Sequence, residues 1–315
     1  MKRLVAVLLM VLGGVAAAGE SRPVAGGEKG AAVVRERGPV AGSGAVRLAI
    51  IRTAGLQVRE GLVFAGGDFG REVETSFSAI LVQHGREVLL FDAGLGRDVA
   101  AQYRADMPHW QRPFFRYEDP VRPAAVQLAG HGLPPVSRII LSHSHWDHAS
   151  GLADFPQAEV WAPAEELALV RHPGPGVGGA WPSQVAAPTL RWRELRFDAV
   201  PYEGFARSRD LFGDGAVVLV PMFGHTAGSI GMFVTTASGR RYFFIGDVVW
   251  NAAALRGGAA KFWPARVLVD HDAEATQASI AQVQRVQRAN PGLVVVPAHD
   301  GRLQAALGYF PKWLP

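Results

Sequence analysis

The sequence predicts an α/β fold in which two sheet-bearing halves stack as a layered sandwich with helices outside. Three observations predict it. Short runs rich in Val, Ile, Leu and Phe, closed by turn residues, recur in both halves of the chain. One long C-terminal stretch, Asp272 to Ala289, has apolar residues at helical spacing. Histidines and aspartates stand directly after several of the apolar runs, where loops at a sheet edge carry function.

The chain starts with Lys2 and Arg3, continues through the apolar Leu4 to Leu12, and reaches small residues at Ala16 to Ala18. This reads as a secretory signal peptide spanning 1–18, which places the protein in the periplasm or outside the cell. The apolar run is short for a membrane span, so no membrane anchor is expected after cleavage. With no cysteine, neither a lipoprotein anchor nor a disulfide is available. Residues 19–44, rich in Gly and Ala with Pro23 and Pro39, read as a flexible leader, and 45–315 as one domain. The formal charge of +4 comes without a basic run or basic-aromatic stripe, so nucleic acid is not an expected partner.

From Val46 the elements follow in order. Val46–Arg52, Phe77–Gln83 and Val88–Phe91 read as strands, and Asp92 to Gly96 as the turn that ends the third. Asp119 and Pro120 read as N-cap and first turn of a helix to about Gln127, and Arg138–Leu141 as a buried strand. In the second half, Val217–Pro221, Ser229–Thr235, Arg241–Ile245 and Leu293–Val296 read as strands. The helix from Asp272 to Ala289 has Asp272 as its cap, Ile280, Val283 and Val286 on its apolar face, and Asn290, Pro291 and Gly292 as its stop.

After the strand ending at Leu141 come His143, His145, Asp147 and His148: three imidazoles and a carboxylate within six positions. Imidazole nitrogen and carboxylate oxygen suit zinc, and a short loop lets alternate side chains reach different coordination positions. His225, Asp247 and His299 each follow a later strand-like run. The ordered set resembles the metallo-β-lactamase superfamily, with its H-x-H-x-D-H pattern followed by His, Asp and His. The resemblance covers about residues 45–315 and implies a four-layer αββα sandwich. It also implies a metal-dependent hydrolase with a small-molecule substrate. Carried over, it places His143, His145 and His225 on one divalent ion and Asp147, His148 and His299 on a second. Asp247 bridges both, with zinc the first expectation. The ions would lie roughly 3.5–4 Å apart and share a bridging hydroxide that attacks the substrate carbonyl. Asp247 and Asp147 are the expected catalytic carboxylates, Asp147 also as a proton carrier. Asp92 is expected to form the turn or to support a ligand.

Absences narrow the branch. Without cysteine, β-lactamases with a Cys ligand are excluded, and Asp247 is a bridging residue that the all-His and Asp subclass usually lacks. Only residues 300–315 follow His299, too few for the helical extension of glyoxalase II-like thioesterases. The pattern looks most like the lactonase and organophosphate-hydrolase branches. Phosphotriester or aryl-ester hydrolysis, a β-lactamase and a mononuclear-iron sulfur dioxygenase are the alternatives. Many lactonases of this resemblance have a tyrosine three residues after the bridging Asp, whereas this chain has Trp250, read as a wall of the pocket. Trp110, Phe114 and Phe115, in the loop Tyr103–Tyr117, read equally as a pocket wall, a cover over the core or a homodimer contact. His172 to Gln184 reads as a lid or a surface loop, and Trp146 as a residue against the outer wall.

Overall fold

The computed structural model describes residues 46–315, so the signal-peptide and leader readings lie outside the described residues. The first sheet has six strands in sequence order: β1 (Val46–Arg59), β2 (Glu72–His84), β3 (Glu87–Phe91), β4 (Arg138–Ile140), β5 (Glu159–Ala162) and β6 (Arg191–Glu194). β1 to β3 form an antiparallel meander, and β4, β5 and β6 add in parallel. The second sheet runs β11-β10-β9-β8-β7, from β7 (Arg209–Asp210), β8 (Val217–Pro221), β9 (Ile230–Thr235), β10 (Arg241–Phe244) and β11 (Val294–Val296).

Alternation along the strands assigns the layers. Leu48, Ile50, Val82, Leu89 and Phe91 of the first sheet meet Val217, Leu219, Met232, Val234, Tyr242 and Phe244 of the second in one buried cluster between the sheets. The neighbours of opposite parity, Ala49, Ile51, Leu81, Val88 and Leu90, face away and pack with Ala124, Ala149 and Leu152. On the far side, Val218, Val220, Phe233 and Phe243 take up Ile280, Val283 and Val286 of the long helix. Helix, sheet, sheet and helix give the expected four-layer αββα sandwich.

The helices are α1 (Val99–Asp106), α2 (Ala124–Leu128), α3 (Trp146–Ala149), α4 (Ala164–Arg171), α5 (Pro182–Val185), α6 (Ala252–Gly257), α7 (Trp263–Val269), α8 (Ala273–Ala289) and α9 (Gly301–Leu307). Among the described residues, no helix is long and apolar enough to cross a membrane. α8 starts as expected, with Asp272 Oδ1 accepting the Ala275 N–H at 2.9 Å. α2 does not begin at Pro120. It starts only after Pro123, because a residue that precedes proline is pushed out of the helical region and Arg122 is such a residue. β1 and β2 run well beyond the expected strands, and their register shifts between Arg52 and Ala54. β5 and β6 are only four residues each, and β6, with Trp192 as its one apolar residue, is mostly charged, so neither stands out in the sequence.

Two expectations about aromatic residues are corrected. Trp146 is not on the outer wall: it is buried and stacks on Trp181, ring centroids 5.4 Å apart and planes 18° apart. Trp181 is fully buried, its indole N–H bonded to Gly176 O at 2.7 Å, so the segment His172–Gln184 is anchored into the core. Large rings gain more by burial here than a surface loop would provide.

Candidate metal centre

Loops after β4, β8, β10 and β11 meet at one edge of the sandwich and bring all seven predicted donors together. Every one is buried. His143, His145 and His225 form a triangle of imidazoles with ring centroids 4.6 Å apart on every side and planes 77–85° apart. Asp147, His148 and His299 form a second group; His299 Nε2 lies 3.2 Å, and His148 Nε2 3.6 Å, from Asp147 Oδ2. Asp247 stands between them, Oδ1 3.3 Å from His148 Nε2 and Oδ2 3.1 Å from His299 Nε2 and 3.6 Å from His225 Nε2.

The outward ring nitrogens are held by other groups. His225 Nδ1 meets Asp270 Oδ1 at 2.7 Å, His148 Nδ1 meets Asp92 Oδ2 at 2.8 Å, and His299 Nδ1 donates to Ser76 O at 2.8 Å. A carboxylate or carbonyl at one ring nitrogen fixes the tautomer that leaves the other nitrogen a free lone pair. Asp92, in the expected turn, also accepts the Ser142 N–H at 2.7 Å and its hydroxyl at 2.8 Å. It therefore ties the end of β3 to the histidine loop. Asp300 orients no imidazole; it caps α9 through the Leu303 N–H at 2.8 Å and accepts the Ala252 N–H at 2.8 Å.

Electrostatics divide the donors into two kinds. Burial, then the crowding of neighbouring imidazoles, pushes the pKa of His143 and His145 well below the ordinary value. Burial and the nearby Lys261 ammonium also lower that of His225. Each of these shifts favours the neutral ring, which has a lone pair to offer. At His148, burial disfavours the charged ring, but Asp92, Asp147 and Asp247 outweigh it and raise the pKa well above normal. At His299, burial is likewise outweighed, chiefly by Asp247. Burial opposes ionisation of Asp247, yet His299 and His148 hold it well below the carboxylate range.

The donor set fits divalent ions. His148 Nε2 and Asp247 Oδ1 are buried without a hydrogen-bond partner, an arrangement that is costly unless a cation takes their lone pairs. The carboxylates that favour a proton on His148 and His299 also favour a metal cation there.

Three contributors were invisible in the sequence: Lys261, Glu166 and Asp270, the last of which holds His225. Lys261 is buried, and its ammonium lies 2.7 Å from Asp270 Oδ1, the same oxygen that meets His225. Glu166, fully buried, binds the histidine loop and the turn after β8. None of the three adjoins a motif residue in sequence. Their only signal is a charged residue in an otherwise apolar or helical context.

Trp250, expected as a pocket wall, lies beside the donors. Its indole N–H donates to Asp247 Oδ2 at 2.8 Å, so it touches the central carboxylate directly. Phe115 packs with Tyr103, Tyr117 and Trp250 on the cluster around Trp146. Trp110 and Phe114 are about half exposed, at 46% and 51%.

Fold and donors together define a protein built to bind metal at the edge of an αββα sandwich. The chain belongs to the metallo-beta-lactamase superfamily, whose sequence model matches residues 76–299. A probable metallo-hydrolase of Mycobacterium tuberculosis is 30% identical over 246 residues, 70% of this chain and 73% of that protein. Among solved structures, an N-acyl homoserine lactone hydrolase with N-hexanoyl-L-homoserine at its catalytic metal centre superposes with a TM-score of 0.68. It is 15% identical, and the match covers 86% of this chain and 99% of that one. A dizinc quorum-quenching lactonase gives a TM-score of 0.53 at 16% identity, covering 82% and 88%. These structural likenesses are of fold.

Proposed function

We propose that this metal-dependent hydrolase works with two divalent ions, zinc foremost, and opens a lactone or related ester. One observation carries the reading: two groups of three donors share a single carboxylate, Asp247, which reaches toward both. His143, His145 and His225 would hold one ion, Asp147, His148 and His299 the other, and Asp247 would contact both. Bound there, the ions supply Lewis-acid polarisation of a carbonyl and activation of water near neutral pH. Seven buried donors exceed what one closed structural site uses, which favours a catalytic pair over a single structural zinc.

The chain's own residues do the rest. Asp92, Asp270 and the Ser76 carbonyl keep the imidazoles in the tautomer that leaves Nε2 free. Asp147, besides holding an ion with His148 and His299, would pass a proton to the departing alkoxide. The aromatic cluster of Trp146, Trp181, Tyr103 and Tyr117 backs the site and keeps bulk water from its rear. Export through the N-terminal apolar segment belongs to the same proposal; the mature chain should then appear in the periplasmic or extracellular fraction.

The direct test is acid release in a pH-stat from N-hexanoyl homoserine lactone by the zinc-loaded protein. Turnover should disappear with a chelator and return with zinc, at two ions per chain by elemental analysis. No acid release with both ions bound would overturn the lactone assignment. A second reading, aryl-ester or phosphotriester hydrolysis, is favoured by Trp250, since an indole N–H donates a hydrogen bond but is no phenolic acid.

Trp250→Phe keeps the ring and removes the N–H bonded to Asp247. Turnover at saturating substrate should fall about 10-fold, with the unfolding midpoint little changed. Full turnover in the phenylalanine variant would leave Trp250 with the role of a simple wall.

A further inference from the structure

Glu166 lies in the first turn of α4, fully buried, and all four of its hydrogen-bond partners are neutral donors. Its Oε1 accepts the Ser144 N–H at 2.6 Å and the Ser144 hydroxyl at 2.5 Å. Its Oε2 accepts the Thr226 hydroxyl at 2.6 Å and the Gly228 N–H at 3.2 Å. Ser144 sits between His143 and His145, and Thr226 directly follows His225. One carboxylate thus joins the loop after β4 in the first sheet to the turn after β8 in the second. The approach depends on glycine: a Cβ on Gly228 would stand 2.4 Å from Glu166 N.

None of these four bonds goes to Asp147, His148 or His299. That group is supported by Asp92 at His148 and the Ser76 carbonyl at His299, and Asp92 also reaches His143 through the Ser142 hydroxyl. Burial raises the Glu166 pKa, opposed by the Ser144 and Thr226 hydroxyls and the two backbone amides. The four donors all point at acceptor lone pairs, the pattern an ionised carboxylate satisfies.

We propose that Glu166 is a positioning residue for one metal site only, a clamp that holds His143, His145 and His225 in a common frame and leaves the site of Asp147, His148 and His299 unaffected. The inference rests on the two-ion reading above. The two sites share Asp247 as a donor and the Asp92–Ser142 pair as a support, since the Ser142 hydroxyl lies 3.0 Å from His143 Nδ1 and 3.4 Å from His148 Nδ1. The Glu166 bonds reach only the loop and turn that carry His143, His145 and His225.

Glu166→Gln is nearly isosteric, but its amide nitrogen must face donors and cannot accept from them. Zinc affinity of the full chain is measured by competition with a chromophoric chelator, and the weakened site is identified by cobalt substitution. One of two ions should bind about 10–100-fold more weakly, the other within about threefold of wild type. The cobalt absorption lost should be the band that His225→Ala removes, not the one that His299→Ala removes. Thr226→Val, which deletes one of the four bonds, should weaken the same ion to a smaller degree, and it carries the test if Glu166→Gln does not fold. Equal weakening of both ions, or no weakening of either, would overturn the clamp. A wild-type chain that takes up one ion would sink the two-ion reading by itself; the clamp then stands only if Glu166→Gln weakens that ion.

Discussion

Asp247→Asn is expected to lower hydrolysis by about 10²–10³-fold or more, the scale seen when one electrostatic stabiliser is removed from an active site, while the protein stays folded. The reason is its position. Among the described residues, Asp247 is the carboxylate whose two oxygens face both donor groups, Oδ1 toward His148 and Oδ2 toward His299 and His225. Asparagine has the same shape but no charge. Because Trp250 donates to Oδ2, the amide oxygen must occupy that place. The amide nitrogen then turns toward His148 Nε2 and blocks the lone pair there with two hydrogens. Bound metal should therefore fall along with turnover, and elemental analysis beside the pH-stat assay measures both. Wild-type turnover at a normal metal count would show that the two sites do not depend on a shared carboxylate.

Lys261→Met should destabilise the fold by about 3–5 kcal/mol, the usual cost of breaking a buried ion pair by removing one partner. The side chains of Lys261 and Asp270 are each only 1% exposed. Asp270 Oδ1 receives both Lys261 and His225, and its Oδ2 has no partner, so loss of the ammonium leaves a buried carboxylate with one donor. Lys261 also lies 5.8 Å from the centre of the Trp250 ring, which places one cation behind both His225 and the partner of Asp247. Denaturant unfolding measures the loss. The double variant Lys261→Met, Asp270→Asn should recover much of the stability, because no unpaired charge then remains. If the single variant unfolds like the wild type, water reaches Asp270 and the pair contributes little.

How far the sequence reveals this protein depends on how local each feature is. The histidine loop was legible because metal chemistry demands particular side chains at short spacing: His143, His145, Asp147 and His148 lie within six positions. α8 was legible because its cap, its periodic Ile280, Val283 and Val286 and its proline stop are all local. The strands between the sheets were legible from their unbroken apolar runs. The N-terminal readings concern residues 1–44, outside the described part of the chain. β5, β6 and the true start of α2 were not legible. Short strands that pair in parallel draw their stability from neighbours distant in sequence, and proline effects compete within a few residues.

By itself, the sequence determined the layered α/β class and singled out the seven candidate donors that the fold brings together, with their order along the chain. It did so because hydrophobic period and ligand chemistry are written into neighbouring residues. Only the tertiary structure decided which groups surround those donors. Glu166 comes from a helix after β5, and Asp270 and Lys261 from the segment between α6 and α8, whereas Asp92, in the turn after β3, was legible in the sequence. It also turned Trp250 toward Asp247 and buried Trp146 against Trp181. Buried polar groups must find partners wherever the fold brings them, and those partners are chosen by proximity in space, which no spacing along the chain encodes.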